Sequence, residues 1–255
     1  MKYIVYILLA LSLLINAGCS DQDSTKEHEL FISAASSLSN VLSKLAEAFE
    51  SEHPNTKLTL NYGASGKLAQ QIQQGAPVDL FLSADQKWMD NLAEQKMILD
   101  DTRINFTQNK LVLVSTNNAN LSIDSLKDLP SSGLDQIAIG NPESVPAGSY
   151  AKEALTASGT WKSIKSQLVH AKDARQVLTY VESGNTDIGF VYASDLNRSK
   201  MVTEVTKIDE SLYKRIDYPA AVMTSSDTME KAKAFIDFLQ TDEAQSILAE
   251  YGFNS

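Results

Sequence analysis

From Leu30 onward, short apolar runs alternate with stretches whose apolar positions recur at helical spacing, the pattern of strand and helix units built around mainly parallel sheets. Leu30 to Ser33 predicts a strand, and Leu38, Val41, Leu42, Leu45 and Phe49 behind it fall on one helical face. Leu58 to Tyr62 alternates as a strand, and Leu68 to Gln74 reads as a helix stopped by Gly75 and Pro77. Val78 to Leu82 is a short buried-type strand followed by a helix from Gln86 to Gln95. Lys110 to Ser115, with its apolar stretch Leu111 to Val114, predicts a strand leading into a second lobe.

That second lobe is expected to hold a helix around Ile123 to Leu129 and a strand at Gln136 to Ile139. Helices at Gly148 to Ala157, Trp161 to Ser166 and Ala174 to Ser183 follow, with a strand at Asp187 to Tyr192. Tyr218 to Thr224 is again strand-like, and Thr228 to Leu239 and Asp242 to Tyr251 are amphipathic helices. These last pieces are assigned back to the first lobe, although periodicity does not specify which sheet a strand joins. No internal repeat, heptad run or low-complexity tract interrupts the pattern.

The first residues break this pattern. Met1-Lys2 and the apolar run from Tyr3 to Ile15 have the charged start and short hydrophobic stretch of an export signal, too short to span a bilayer comfortably. The run ends at Asn16-Ala17-Gly18-Cys19, which resembles the lipobox of bacterial lipoproteins, with Asn16 where a leucine-like residue is usual. Residues 1–18 are therefore read as a signal peptide, Cys19 as a lipidation site anchoring the protein to the membrane, and 19–28 as a polar tether. A cleaved signal that leaves a spare thiol is the alternative. Cys19 is the chain's single cysteine, which excludes an internal disulfide and argues against a cysteine metal site.

At 255 residues, 43% of them hydrophobic, the chain is long enough for two modest cores. Its formal net charge of -10 argues against nucleic acid as a partner and against long-range steering of an anion, so any anion site must rely on local donors. Such donors are available where strands end and helices begin. Ala34-Ala35-Ser36-Ser37-Leu38-Ser39-Asn40 is the first such place: small residues let a ligand approach the backbone, and a helix's opening turn offers N–H groups without intrahelical partners. Taken alone, Ser36 or Ser37 is better read as an ordinary helix cap. The arrangement recurs at Asn61 to Leu68, at Pro146-Ala147-Gly148-Ser149 and at Asp173-Ala174-Arg175. Several helix starts converging on one cleft would coordinate all the oxygens of a tetrahedral anion.

Other chemistry is poorly supported. Gly63-Ala64-Ser65-Gly66-Lys67 is too short for a nucleotide phosphate loop and has Leu68 where a metal-binding hydroxyl is needed. His28, His53 and His170 are scattered without metal-ligand spacing, and no Gly-x-Ser-x-Gly elbow marks a serine hydrolase. Lys67 and Arg175 lie near the candidate turns but are read as solvated surface cations. Tyr192, at the end of Gly189-Phe190-Val191-Tyr192, stands where open sheets place ligand contacts, and is otherwise a core residue.

Together these stretches resemble the molybdate-binding proteins of bacterial ABC importers, a group with the type II periplasmic-binding-protein fold. The likeness runs from Leu30 to Phe253 and is most specific at Gly75 to Asp90 (GAPVDLFLSADQKWMD), at Val145 to Leu155 (VPAGSYAKEAL) and at Tyr251-Gly252-Phe253. It implies an α/β protein of two lobes, each a mainly parallel sheet flanked by helices, with 29–108 and 218–255 forming one lobe and 109–217 the other. Crossing segments near Asn109 and Asp217 would act as the hinge. Carried over by position, the family's ligand contacts fall on Ser37, Ser65, the backbone of Ala147, the backbone of Ala174 and the hydroxyl of Tyr192. Ala174 stands where larger aliphatics are common, and Gly66 where another serine can occur.

The resemblance further implies no catalysis, no cofactor and no free metal cation, the molybdenum being held as its oxyanion, with tungstate as a second ligand. It implies a monomer that hands its ligand to a membrane permease, anchored outside the cytoplasm through Cys19 or periplasmic without the anchor. A receptor for another tetrahedral oxyanion such as sulfate is the nearest alternative. An exported hydrolase or lyase using Ser37 or Ser65 as nucleophile lacks a base partner, and a structural lipoprotein would show no ligand-dependent stability.

Overall fold

The computed structural model describes residues 28–119 and 121–253. The expected signal peptide, Cys19 and the tether as far as residue 27 lie outside the described residues. The strands are β1 (His28–Ala35), β2 (Thr56–Gly63), β3 (Leu80–Leu82), β4 (Ile104–Asn109), β5 (Leu111–Thr116) and β6 (Ile137–Gly140). They continue with β7 (Leu168–Ala171), β8 (Ile188–Tyr192), β9 (Val202–Lys207) and β10 (Ile216–Val222). The helices are α1 (Ser39–Glu52), α2 (Ser65–Gln73), α3 (Gln86–Glu94) and α4 (Pro146–Ala157). After them come α5 (Trp161–Ile164), α6 (Ala174–Glu182), α7 (Met229–Phe238) and α8 (Asp242–Glu250).

Two five-stranded sheets result, ordered β2-β1-β3-β10-β4 and β7-β6-β8-β5-β9. In the first, β1 is parallel to β2 and β3, and β10 is antiparallel to β3 and β4. In the second, β6 is parallel to β7 and β8, and β5 is antiparallel to β8 and β9. Each sheet thus has four strands pointing one way and a single reversed strand. That reversed strand is where the chain crosses over: β4 ends in the first sheet at Asn109, β5 begins in the second at Leu111, and β10 returns at Ile216 directly opposite Asn109. Two adjacent crossings of this kind join the sheets.

Burial explains which segments became strands. The central strands β3, β6, β8 and β10 are buried along their whole length; the first three are continuous apolar runs, as burial on both faces requires, and β10 also buries Asp217. Helix α1 buries Val41, Leu42, Leu45 and Phe49, the stripe expected from the sequence, and Phe49 meets Phe235 of α7 edge to face at 5.1 Å.

Several expectations need adjustment. β1 already begins at His28, which pairs with Thr56, so this residue belongs to the sheet and not to the tether. β4, β7 and β9 were not anticipated. The helix expected around Ile123 to Leu129 is instead a 3-10 turn over Leu126–Ser131, because Pro130 lies inside it and Ser125 and Asp128 cap each other at its start. The helix expected at Trp161 to Ser166 is a single α turn continued as 3-10 over Lys165–Gln167. Among the described residues no helix is long and apolar enough to cross a membrane.

Candidate functional site

The parallel strands aim their carboxyl ends at the space between the sheets, so the turns that follow them meet there. β1 runs into a 3-10 turn at Ser36–Leu38, β2 into α2, β6 into α4 and β7 into α6, while β8 ends at Tyr192. These turns meet around a small pocket lined by Ser36, Ser37, Ser65, Ala147, Ala174 and Tyr192 together with neighbouring small residues. All five positions singled out from the sequence are therefore brought together, and each is buried. Larger clefts exist, one beside the crossing strands lined by Asn109, Lys110 and Glu210 among others, but none of the five residues lines it.

Each residue owes its place to local chemistry. Ser65 opens α2, where its N–H has no intrahelical acceptor, and its Oγ accepts the N–H of Ala84 at 3.1 Å. The hydroxyl proton of Ser65 is left available as a donor. Pro146 opens α4 with its fixed φ and puts Ala147 in the first turn. Gly148 allows this: a Cβ there would lie 1.9 Å from the carbonyl oxygen of Gly140, so only glycine lets the helix start come so close to β6. Asp173 caps α6 by accepting the N–H of Gln176 at 2.8 Å, leaving the N–H of Ala174 without a cap partner. Ser37 Oγ lies 2.9 Å from the Tyr218 hydroxyl. The Asn109 side chain reaches the same hydroxyl at 3.5 Å and donates to Ser194 Oγ at 2.8 Å.

The Tyr192 hydroxyl is buried and has no hydrogen-bond partner among the described residues. Burial, reinforced by Tyr218, Tyr150, Asp85 and Asp195, raises its pKa well above the ordinary tyrosine value, so it stays protonated and is held as a donor. None of the residues lining the cavity carries a charge. The site is thus a cluster of N–H and O–H donors at helix starts, suited to a ligand whose atoms only accept hydrogen bonds.

Lys67 and Arg175 are exposed and do not line the cavity, in keeping with solvated cations. His28 and His170 are exposed, and His53 ends α1 against the ring of Phe49 at 4.2 Å. Among the described residues no group of His, Cys, Asp and Glu could hold a metal ion.

Sequence reasoning missed a polar chain behind the cavity. Asp195, fully buried, accepts the backbone N–H of Tyr192 at 3.0 Å and pairs with Arg198 at 3.3 Å. Arg198, whose side chain is 7% exposed, also donates to the carbonyl of Ser36 at 3.3 Å and to Ser39 Oγ at 3.1 Å. Burial raises the Asp195 carboxyl to about 6 against the opposing pull of Arg198 and the Tyr192 N–H. The spacing of Asp195 and Arg198 on one turn is visible in the sequence, but their reach to Ser36 and Ser39 is not.

Two α/β sheets joined by paired crossings, with a donor-lined cavity between them, define a receptor of the periplasmic-binding type. Residues 30–254 match the family described as bacterial extracellular solute-binding protein, and the chain belongs to it. It is 38% identical to the putative ABC transporter substrate-binding lipoprotein YvgL of Bacillus subtilis, over 100% of this chain and 98% of the relative. It is also 38% identical to the molybdate-binding protein ModA of Escherichia coli, over 89% of each. Among solved structures, the substrate-binding domain of a putative molybdenum ABC transporter from Clostridium difficile superposes with a TM-score of 0.70 at 45% identity, covering 89% of this chain and 98% of that one. The periplasmic molybdate-binding protein of Azotobacter vinelandii superposes with a TM-score of 0.80 over 89% of this chain and 99% of that one, at 24% identity, and speaks for the fold alone.

Proposed function

We propose that this protein captures molybdate, and tungstate as its near twin, in the cavity between its two lobes and delivers it to the permease of an ABC importer. The observation that carries this reading is the meeting of Ser37, Ser65, Ala147, Ala174 and Tyr192 around one uncharged, donor-lined cavity in a chain 38% identical to a molybdate-binding protein. In this reading the two serine and one tyrosine hydroxyls and the helix-start N–H groups hold the oxyanion's four oxygens. The lobes, 29–108 with 218–255 and 109–217, close about the crossings near Asn109 and Asp217.

The donor set favours a fully deprotonated dianion. A hydrogen phosphate would bring a proton with no acceptor to receive it, at a cost of about 1–3 kcal/mol in a dry site. Sulfate is acceptor-only as well, so it is rejected by size: fixed donors spaced for the larger ion are not all reached by the smaller one. The protein binds and releases and makes no covalent bond, since neither Ser37 nor Ser65 has a base beside its hydroxyl; their partners are the Tyr218 hydroxyl and the Ala84 N–H. It works as a monomer outside the cytoplasm, tethered to the membrane through a lipid on Cys19, without cofactor and without nucleic acid.

Thermal unfolding of the purified protein with molybdate, sulfate and phosphate tests the reading. Molybdate is expected to raise the melting temperature in a concentration-dependent way, and the other two anions to do so weakly at the same concentration. Equal stabilisation by sulfate would shift the assignment to a general oxyanion receptor.

A further inference from the structure

We propose that Arg198 is a cross-lobe positioning residue, a clasp that closes with the lobes and sets how long the bound anion stays. The proposal rests on the anion-receptor reading given above. Arg198 follows β8 of the second sheet, yet its guanidinium donates to the carbonyl of Ser36 and to Ser39 Oγ, which belong to the turn after β1 of the first sheet. These two acceptors flank Ser37. The same Nη1 that reaches the Ser36 carbonyl also pairs with Asp195, which in turn holds the N–H of Tyr192. One buried chain of contacts therefore links the backbone of Tyr192 on one side of the cavity to the Ser36–Ser39 turn on the other.

This geometry has a mechanical consequence. Asp195 and Arg198 lie three residues apart on one turn and stay together when the lobes separate, whereas the bonds to Ser36 and Ser39 span the cleft and break. Opening exposes a guanidinium whose side chain is now only 7% exposed, and closing buries it with its acceptors already fixed. On the first lobe's side Ser39 sits at the first turn of α1, its backbone anchored where its carbonyl accepts Ser43 Oγ at 3.0 Å and the Tyr62 hydroxyl at 3.3 Å. Arg198 lines no part of the cavity, so it acts on the ligand through the turn it grips. Contacts made only in the closed state slow dissociation and leave the encounter with the open state nearly unchanged.

Stopped-flow measurement of molybdate association and dissociation, read through the fluorescence of Trp88 and Trp161, tests the clasp in Arg198→Gln, Arg198→Lys and Ser39→Ala. Arg198→Gln is expected to raise the dissociation rate by about ten-fold, the loss of hydrogen bonds from a charged donor, while association stays within about two-fold. Arg198→Lys, which keeps the charge and one donor direction, is expected to recover part of that loss, and Ser39→Ala to show a smaller rise without disturbing Asp195. Unchanged dissociation in both Arg198→Gln and Ser39→Ala, on folded protein, overturns the clasp. If the parent protein binds no molybdate, the receptor reading fails instead, and small-angle scattering of the unliganded proteins decides the clasp. Arg198→Gln is then expected to be measurably more extended than the parent, and identical radii of gyration overturn it.

Discussion

Gly66 donates its backbone N–H to the carbonyl of Ser144 at 3.1 Å, so the start of α2 in the first lobe touches the loop before α4 in the second. The contact depends on the absence of a side chain: a Cβ at Gly66 would lie 2.5 Å from Cζ2 of Trp88 and 2.8 Å from the Ser144 oxygen. The space that a side chain at position 66 would take is filled by the Trp88 ring. The two lobes consequently meet through backbone at the edge of the cavity.

Gly66→Ser is expected to weaken molybdate binding about ten-fold, because overpacking at a closed contact costs about 1–3 kcal/mol. Adding Trp88→Leu relieves the clash within the first lobe but not that with Ser144. The double variant should therefore regain melting temperature while its affinity, measured by calorimetry, stays reduced. Full recovery of affinity would mean that the Ser144 contact does not govern closure.

Tyr192→Phe separates binding from folding. Its hydroxyl has no partner among the described residues, so removing it is expected to leave the unliganded melting temperature equal or slightly higher. Molybdate affinity should fall about ten- to hundred-fold, the worth of one hydrogen bond to a charged ligand. Unchanged affinity would remove Tyr192 from the site.

Ser65→Ala should behave differently, since Ser65 Oγ already accepts the N–H of buried Ala84. The variant is expected to lose about 1–3 kcal/mol of stability without ligand, and affinity as well. Denaturant unfolding beside calorimetry reads both, and an unliganded stability equal to the parent's would contradict the assigned role.

Asp195 gives a pH signature. Burial lifts its carboxyl from 3.8 to about 6, so between these values the native state holds a proton that the unfolded chain has lost. The contribution of Asp195 to stability therefore falls as pH rises through that window and is level above it. Unfolding of the parent and of Asp195→Asn from pH 4 to 7 should show the parent's advantage shrinking with pH up to about 6. An advantage that grows with pH would mean that Arg198 holds the carboxylate below its ordinary range.

What the sequence revealed follows burial. The central strands β3, β6 and β8, and β10 from Tyr218 onward, announce themselves as apolar runs because both faces are covered. β4, β7 and β9 went unread, and all three are edge strands whose exposed, polar positions interrupt any such run. Helix starts were placed late at α2 and α4, at Leu68 and Gly148, because apolar periodicity begins inside the helix whereas the donors lie at Ser65 and Pro146. The residues alone pointed to the turns at strand ends and left Ser36 and Ser37 open; the five candidate contacts on those turns came from the family resemblance. Tyr218, Asn109 and Arg198 were not legible, because their partners Ser37, Ser194 and Ser36 are 85 residues or more away in the chain.

The central claim is that the donor-lined cavity is built for molybdate, and calorimetric titration of the purified protein with molybdate, alone and with excess sulfate, tests it most directly. One-to-one binding that sulfate leaves nearly unchanged is the expected result. No heat with molybdate on folded, ligand-free protein, or binding abolished by sulfate, would contradict it.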